Sequence, residues 1–341
     1  MPFMAPAPVT ERKTRLGIPR ALFYYAYFPF WEVFFSELGA EVVVSGRTNK
    51  KILQEGLSVS TGELCLPIKL LNGHVADLVG RCDFVFLPYI ISTQKGSYYC
   101  PKLIASPDIA KAVVPGLPLM SADVDIDNFF TSLFATLREV ASKLSTNPVR
   151  IYAAFRKALE RQELFECHIH AGALFEEALA AARQGRSPAD DARGPAGREG
   201  EGPLVAVVGH TYLFNDPYIS FDLLHRLRER GARVVTSDSL SAAQVGEEFS
   251  ALEKGTHWSL GNRVVASVIR FSRRRDVGGI VYVTPFGCSS DSLVKEYIDA
   301  NLPERKPLLV LTVDEHSGDA GVVTRLEAFF DMIARLPAGA G

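Results

Sequence analysis

The feature that most limits how this chain can fold is an alternation of short apolar runs with amphipathic stretches, and it occurs twice. "TRLGIP" reads as a strand ending at Pro19, "PFWEVFFSELG" has helical spacing with Gly39 as a natural stop, and "AEVVVSG" is a β-branched strand. "LPIKLLNGHVADLVG" then predicts a helix with Pro67 in its first turn, and "DFVFLP" predicts another buried strand. Strand, helix, strand, helix, strand is the pattern of a doubly wound α/β unit with a parallel sheet. The same alternation opens again at "PLVAVVG" and runs through "SFDLLHRLRERG", "ARVVTSD", "GGIVYVTPFG", "DSLVKEYIDANL" and "PLLVLTVD" to a final helix, "GVVTRLEAFFDMIARL".

Between the two series the period lengthens into amphipathic helices, "DIDNFFTSLFATLREVASKL" to "ALFEEALAAARQG". "RQGRSPADDARGPAGREGEGP" then collects Gly, Pro, Arg and acids with no hydrophobic period. The expected architecture is therefore α/β, two Rossmann-like parallel-sheet domains joined by a helical segment. Its expected parts are a disordered tail (1–13), a first Rossmann-like domain (14–125), a helical bridge (126–182), a flexible linker (183–203) and a second Rossmann-like domain (204–336). A weak internal duplication fits this plan. Neither series carries G-x-G-x-x-G or G-x-x-x-x-G-K-[ST], so no dinucleotide or ATP fingerprint is present.

Composition excludes some partners. The 37 basic and 39 acidic residues nearly cancel, which removes a general electrostatic case for nucleic acid or an anionic membrane. No stretch has the length and apolarity of a signal peptide core or a membrane span, so a cytoplasmic protein is expected. Five cysteines, odd in number and widely spread, do not make a disulfide scaffold; in a reducing compartment they are thiols or ligands.

Ligands of open α/β sheets gather at the carboxyl ends of the strands, and this sorts the cysteines. Cys65 in "STGELCLP", Cys100 in "GSYYCPK" and Cys288 in "VTPFGCSSD" follow strands and precede helices. Cys82 precedes "DFVFLP" at the opposite end, and Cys167 lies inside a long helix. A cysteine just ahead of a helix meets backbone N–H groups and the positive helix end, which favour a thiolate. Packing is the competing reading for each, since cysteine is often a buried, inert residue. If the three converge, three thiolates without a fourth protein ligand suit a [4Fe–4S] cluster with one open iron, or a zinc with water in the fourth place.

"GELCLPIKLLNGHVADL", "YYCPKLIASPD", "HTYLFNDPYISFDLLHRL", "VTPFGCSSDSL" and "VDEHSGDAGVVTRLEAF" together resemble the proteins related to 2-hydroxyacyl-CoA dehydratases and their activases. More narrowly they resemble the uncharacterised domain often fused to, or encoded beside, the ATP-dependent activase of those systems. The likeness runs from about residue 14 to 335, leaving out the linker. It implies a [4Fe–4S] cluster held by Cys65, Cys100 and Cys288. It further implies low-potential electrons from a separate ATP-hydrolysing iron–sulfur activase, and a lyase or reductase reaction on a small substrate such as an acyl-CoA. Some relatives carry a double-cubane cluster, and relatives suggest a homo- or heterodimer. Fold kinship does not fix a reaction, so a non-catalytic electron carrier or cluster scaffold, and a zinc or apo binding protein, stand beside the enzyme reading.

Other polar residues join the candidate site by position. His210 and Tyr212 follow "LVAVV" and are expected at the rim that carries Cys288, where His210 could donate a proton or bond to a cluster sulfide. Glu315 and His316 follow the last strand and are the further acid–base candidates. Asp216 ahead of Pro217 reads as a cap, and so do Ser289, Ser290 and Asp291 at the start of the next helix, with anion or sulfide contact from the N–H groups of these three as the functional alternative. Glu63 is either a helix-start charge or an acceptor near Cys65. His168 and His170 in "CHIH" point to different sides of a helix and form no expected site.

Overall fold

A computed structural model describes residues 12–93, 96–125, 129–190, 202–250, 258–301 and 306–335 of the chain. Most of the expected tail, the first three residues of the expected bridge, and 191–201 of the expected linker lie outside these described residues.

The first half comprises β1 (Arg15–Ile18), α1 (Tyr24–Glu37), β2 (Glu41–Val44), α2 (Lys50–Val59), α3 (Leu66–Leu78), β3 (Phe84–Phe86), β4 (Tyr89–Ile90), α4 (Pro101–Ile104), α5 (Ser106–Val113), β5 (Leu119–Met120) and β6 (Asp123–Val124). Its main sheet has the order β2-β1-β3-β5, all parallel. The short parallel pair β4-β6 prolongs it, through Leu87 N–H to Met120 O at 3.0 Å and Tyr89 N–H to Ala122 O at 2.9 Å. The helix α1 starts before the segment expected from spacing and takes in Pro29. Its aromatic residues Phe28, Phe34 and Phe35 are fully buried, and that burial outweighs the roughly 3 kcal/mol an interior proline costs.

The helix α2 is a feature that the sequence reading passed over. Asn49 caps it, accepting from Lys51 N–H at 2.9 Å and Ile52 N–H at 3.1 Å. It lies in near backbone contact with α3: a Cβ on Gly56 would come within 2.0 Å of Lys69 O, and one on Gly73 within 2.1 Å of Ile52 O. Only glycine fits at both places, and the contact fixes the start of α3, where Cys65 stands.

The helical segment is α6 (Phe129–Ser142), α7 (Pro148–His170) and α8 (Phe175–Arg183). α7 lies along α1, with the Phe30 and Phe155 rings 6.0 Å apart and Gln162 Nε2 donating to Ala26 O at 2.9 Å. A 3-10 turn at Pro188–Asp190 follows α8, so the opening of the stretch expected as a linker carries regular structure.

The second half comprises β7 (Leu204–Gly209), α9 (Thr211–Phe214), α10 (Leu223–Glu229), β8 (Arg233–Thr236), α11 (Ala242–Ser250), α12 (Ser259–Arg273), β9 (Val277–Pro285), α13 (Ser289–Asn301), β10 (Leu308–Val313) and α14 (Asp319–Arg335). The sheet order is β10-β9-β7-β8, again all parallel. Taking β1, β2, β3, β5 and β7, β8, β9, β10 as the first to fourth strands of each half, both sheets read second, first, third, fourth. The Rossmann-like expectation holds, and the shared order is what a duplicated unit would leave. One hydrophobic core runs through both halves and the helical segment, including Leu16, Phe86, Phe155, Val205 and Val283. A second packs Val264 of α12 and Val294 of α13 on Ala206 and Tyr282. Among the described residues no helix is long and apolar enough to cross a membrane.

Candidate functional site

A doubly wound sheet opens a crevice where strand order reverses, here between β1 and β3 and between β7 and β9. At the second crevice β7 delivers His210 and β9 delivers Cys288. Gly209 lets the two strands close up, since a Cβ there would lie 2.5 Å from Val283 O.

The three sorted cysteines all stand at helix starts. Cys65 is the N-cap of α3 and Cys100 that of α4, both with extended backbone and neither spending its side chain on the cap. Cys288 directly precedes α13. Pro67 and Pro101 fix the first turns of α3 and α4 without wasting an N–H. The three thiols lie near enough to act electrostatically on shared neighbours. Burial pushes the Cys65 thiol up and its bond from Ile68 N–H works the other way, while Cys288 and Cys100 both lie near enough to act on it. Tyr212, fully buried between the halves, feels all three thiols; burial first and then the surrounding negative charge push its phenol well above the ordinary range.

Cys288 differs from its two partners. Burial opposes its ionisation, but a hydrogen bond from His210, the Ser290 hydroxyl 3.1 Å away and the Asp291 N–H hold its pKa below the usual thiol value. His210 Nε2 lies 2.9 Å from Asp291 Oδ1, with both side chains buried. Burial works against a charged imidazole, yet the Asp291 carboxylate and Cys288 outweigh it and hold His210 at about 10. Asp291 in turn stays below the carboxylate range: burial opposes its charge, but His210, then Thr284 and Tyr282, stabilise it, and Thr284 Oγ1 donates to Oδ2 at 2.9 Å. The result is a buried carboxylate and imidazole close beside a half-buried thiol whose ionisation the imidazole favours.

Asp291 is the residue that sequence reasoning misassigned, as a helix cap. The available signal was in the preceding strand: Thr284 brings a hydroxyl to the end of an otherwise largely apolar β9, and a buried hydroxyl calls for a partner. Asp216, also expected to cap, does receive the Tyr218 N–H at 3.0 Å, but it is buried and accepts from Thr48 Oγ1 of the first half as well. Glu315 is engaged by Lys69 Nζ of α3 at 2.6 Å, and its pKa is lowered chiefly by that bond. His316 is exposed, and its N–H donates to Asp314 Oδ1 at 2.9 Å. Glu63 is exposed and offers its carbonyl to Lys102 Nζ at 2.9 Å. Cys82 packs against Gly17 and donates to Leu78 O at 3.3 Å, and Cys167 is exposed on α7, so both lie apart from the other three.

Fold and site together define a doubly wound α/β protein of two like halves, with thiols gathered where the halves meet. The chain belongs to the family described as the CoA enzyme activase uncharacterised domain, whose model matches residues 15–240. No curated protein matches it. Among solved structures it is similar to the lac repressor dimer bound to operator and the anti-inducer ONPF, at 11% identity over 89% of this chain and 93% of that one, with a TM-score of 0.25. It is also similar to an ABC transporter solute-binding protein from Burkholderia multivorans, at 10% identity over 96% of each chain, with a TM-score of 0.19. Scores this low carry no argument about fold or function.

Within the site, ligand atoms of His210, Cys288 and Asp291 all lie within 4.8 Å of one another, close enough to hold one metal ion. Cys65, Cys100 and Cys288 are by their chemistry a soft donor set.

Proposed function

We propose that this chain is an iron–sulfur protein in which Cys65, Cys100 and Cys288 hold a [4Fe–4S] cluster with one iron left unligated by the chain. It takes low-potential electrons from an ATP-dependent activase and applies them to reduction or dehydration of a small substrate, with acyl-CoA esters as first candidates. The observation that carries this reading is the convergence of three thiols from three separate helix starts, with Cys100 and Cys288 both acting on Cys65. Membership of an activase-related family supports an activase or CoA enzyme as the partner.

When bound, such a cluster supplies one-electron transfer together with a Lewis-acidic iron. The chain's own residues do the rest. His210, with Nε2 2.9 Å from Asp291 Oδ1, balances negative charge at Cys288 and can tune a reduction potential or supply a proton to a reacting oxygen. The N–H groups at the starts of α3, α4 and α13 add positive potential on the same side. Tyr212 stays neutral and excludes water from the thiols.

The test is anaerobic purification followed by iron and acid-labile sulfide assays, visible absorption and EPR. About four irons and four sulfides per chain are expected from the cluster's composition. Cys65→Ala, Cys100→Ala and Cys288→Ala should each lower that content, while Cys82→Ala and Cys167→Ala leave it nearly intact; equal losses in all five variants would refute the assignment. A second reading, one divalent ion on His210, Cys288 and Asp291, is favoured by their close spacing. It requires His210 to give up its proton, and stoichiometric zinc without sulfide would establish it.

A further inference from the structure

At the exit of β7, His210 turns to Cys288, while its neighbours Gly209, Thr211 and Tyr212 line a cavity of about 490 Å³ bounded by α1, α7 and the start of α12. That is the size of a small-molecule site. Most of the lining is apolar, aliphatic as well as aromatic, with Trp31, Leu133, Leu159 and Ile169 in it. The body of a ligand here is therefore apolar.

Two opposite charges line this cavity without pairing with each other. Asp238 lies in the turn after β8, at the strand end where open α/β sheets receive ligands. Its Oδ2 accepts from Thr211 Oγ1 at 2.6 Å and from Asn215 Nδ2 at 3.3 Å, while its Oδ1 keeps accessible surface and accepts from no described group. Burial pushes this carboxyl up, and the Thr211 bond and the Arg263 guanidinium work the other way. Arg263 spends only Nη1 on the same turn, donating to Ser237 O at 3.4 Å and Leu240 O at 2.5 Å, so Nε and Nη2 remain as donors. Among the described residues neither Asp238 nor Arg263 has an ion-pair partner, although the guanidinium is near enough to stabilise the carboxylate. The other ionisable groups of the lining are committed elsewhere. Glu166 accepts from Gln162 Nε2 at 2.9 Å, Glu163 is exposed so that water screens its charge, and burial holds the His170 pKa down. A simple carboxylate would meet Arg263 but face Asp238, and a simple amine would do the reverse. A ligand that carries both signs matches both.

We infer that this cavity binds a free α-amino acid with an apolar side chain, its ammonium on Asp238 Oδ1 and its carboxylate on the Arg263 guanidinium. The assignment stands on the cavity and does not rest on the iron–sulfur reading. Calorimetry on the full-length protein tests it with L-leucine and L-phenylalanine, each against two analogues that lack one charge. For leucine these are 3-methylbutylamine and 4-methylpentanoate; for phenylalanine they are 2-phenylethylamine and 3-phenylpropanoate.

The better-bound amino acid should exceed both of its analogues by about tenfold or more, since each analogue leaves one charge of the wall unmatched. Asp238→Asn should weaken amino-acid binding about tenfold while the carboxylate analogue binds at least as tightly as before. Arg263→Gln should do the converse, sparing the amine. A variant that merely unfolds would lose every ligand alike, and the wild-type comparison depends on neither variant. Either analogue binding as tightly as its amino acid, or no binding of both amino acids at millimolar concentration, would overturn the assignment.

Discussion

Cys288 shows how neighbours turn one residue type into two chemical species. Cys65 and Cys288 both stand at helix starts, yet burial dominates the first and raises its pKa, whereas His210 and Ser290 lower the second. In metal-free protein at pH 7, iodoacetamide should therefore label Cys288 well before Cys65, as read by peptide mass spectrometry. His210→Asn should slow Cys288 labelling by about tenfold, since it removes the cation that favours the thiolate. Unchanged labelling would mean that the helix start alone sets the reactivity. The position of Cys288 after a strand and before a helix was legible in the sequence. Its partner Asp291 was not, because a polar residue in the first turn of a helix looks the same from the sequence whether it caps or faces inward.

The paired helices α2 and α3 show the same division one level up. α3 was legible from its apolar spacing and Pro67, but its exact placement depends on Gly56 and Gly73 lying against the carbonyls of the opposing helix. Gly56→Ala should cost about 3 kcal/mol or more, because the obstacle is backbone and cannot swing aside. It should also lower iron content, since moving α3 moves Cys65; denaturant unfolding and an iron assay on the same preparation check both halves of this. A variant destabilised to that degree with full iron content would separate the helix contact from the site.

Across the whole molecule, polar links cross between the halves beside the common core. Lys69 is only 7% exposed at its side chain, and its partner Glu315 comes from the far sheet. Glu315→Gln leaves a buried ammonium unpaired and should destabilise by about 2–3 kcal/mol, whereas Lys69→Met with Glu315→Leu should recover most of the loss in urea unfolding. A second link runs from Ser45 through His74 to Thr48, with His74 Nδ1 and Nε2 each 2.9 Å from a hydroxyl, and on from Thr48 to Asp216 of the second half. Burial lowers the His74 pKa from 6.5 to about 4. Above pH 6.5 the ring is neutral in both folded and unfolded chains and adds no pH dependence. As pH falls from 6.5 towards 4 the unfolded chain takes up a proton that the folded chain refuses, so stability drops, by roughly 3 kcal/mol in all. His74→Gln should flatten that limb relative to the parent protein in denaturant titrations at pH 7 and 4.5.

Residue order by itself determined the strands, most of the helices that separate them, the parallel class of both sheets and the strand exits that carry Cys288 and His210, whereas Cys65 follows the unforeseen helix α2 rather than a strand and Cys100 stands ten residues beyond β4. Those properties follow from local periodicity and from proline and glycine at element ends, which neighbours in the chain decide. Only the tertiary structure decided that Glu315 meets Lys69, that Asp291 lies beside His210, and that Asp216 accepts from Thr48 of the other half. Each of these joins groups far apart in the chain, and which distant groups meet depends on how two sheets and a helical segment pack, an outcome no local pattern encodes.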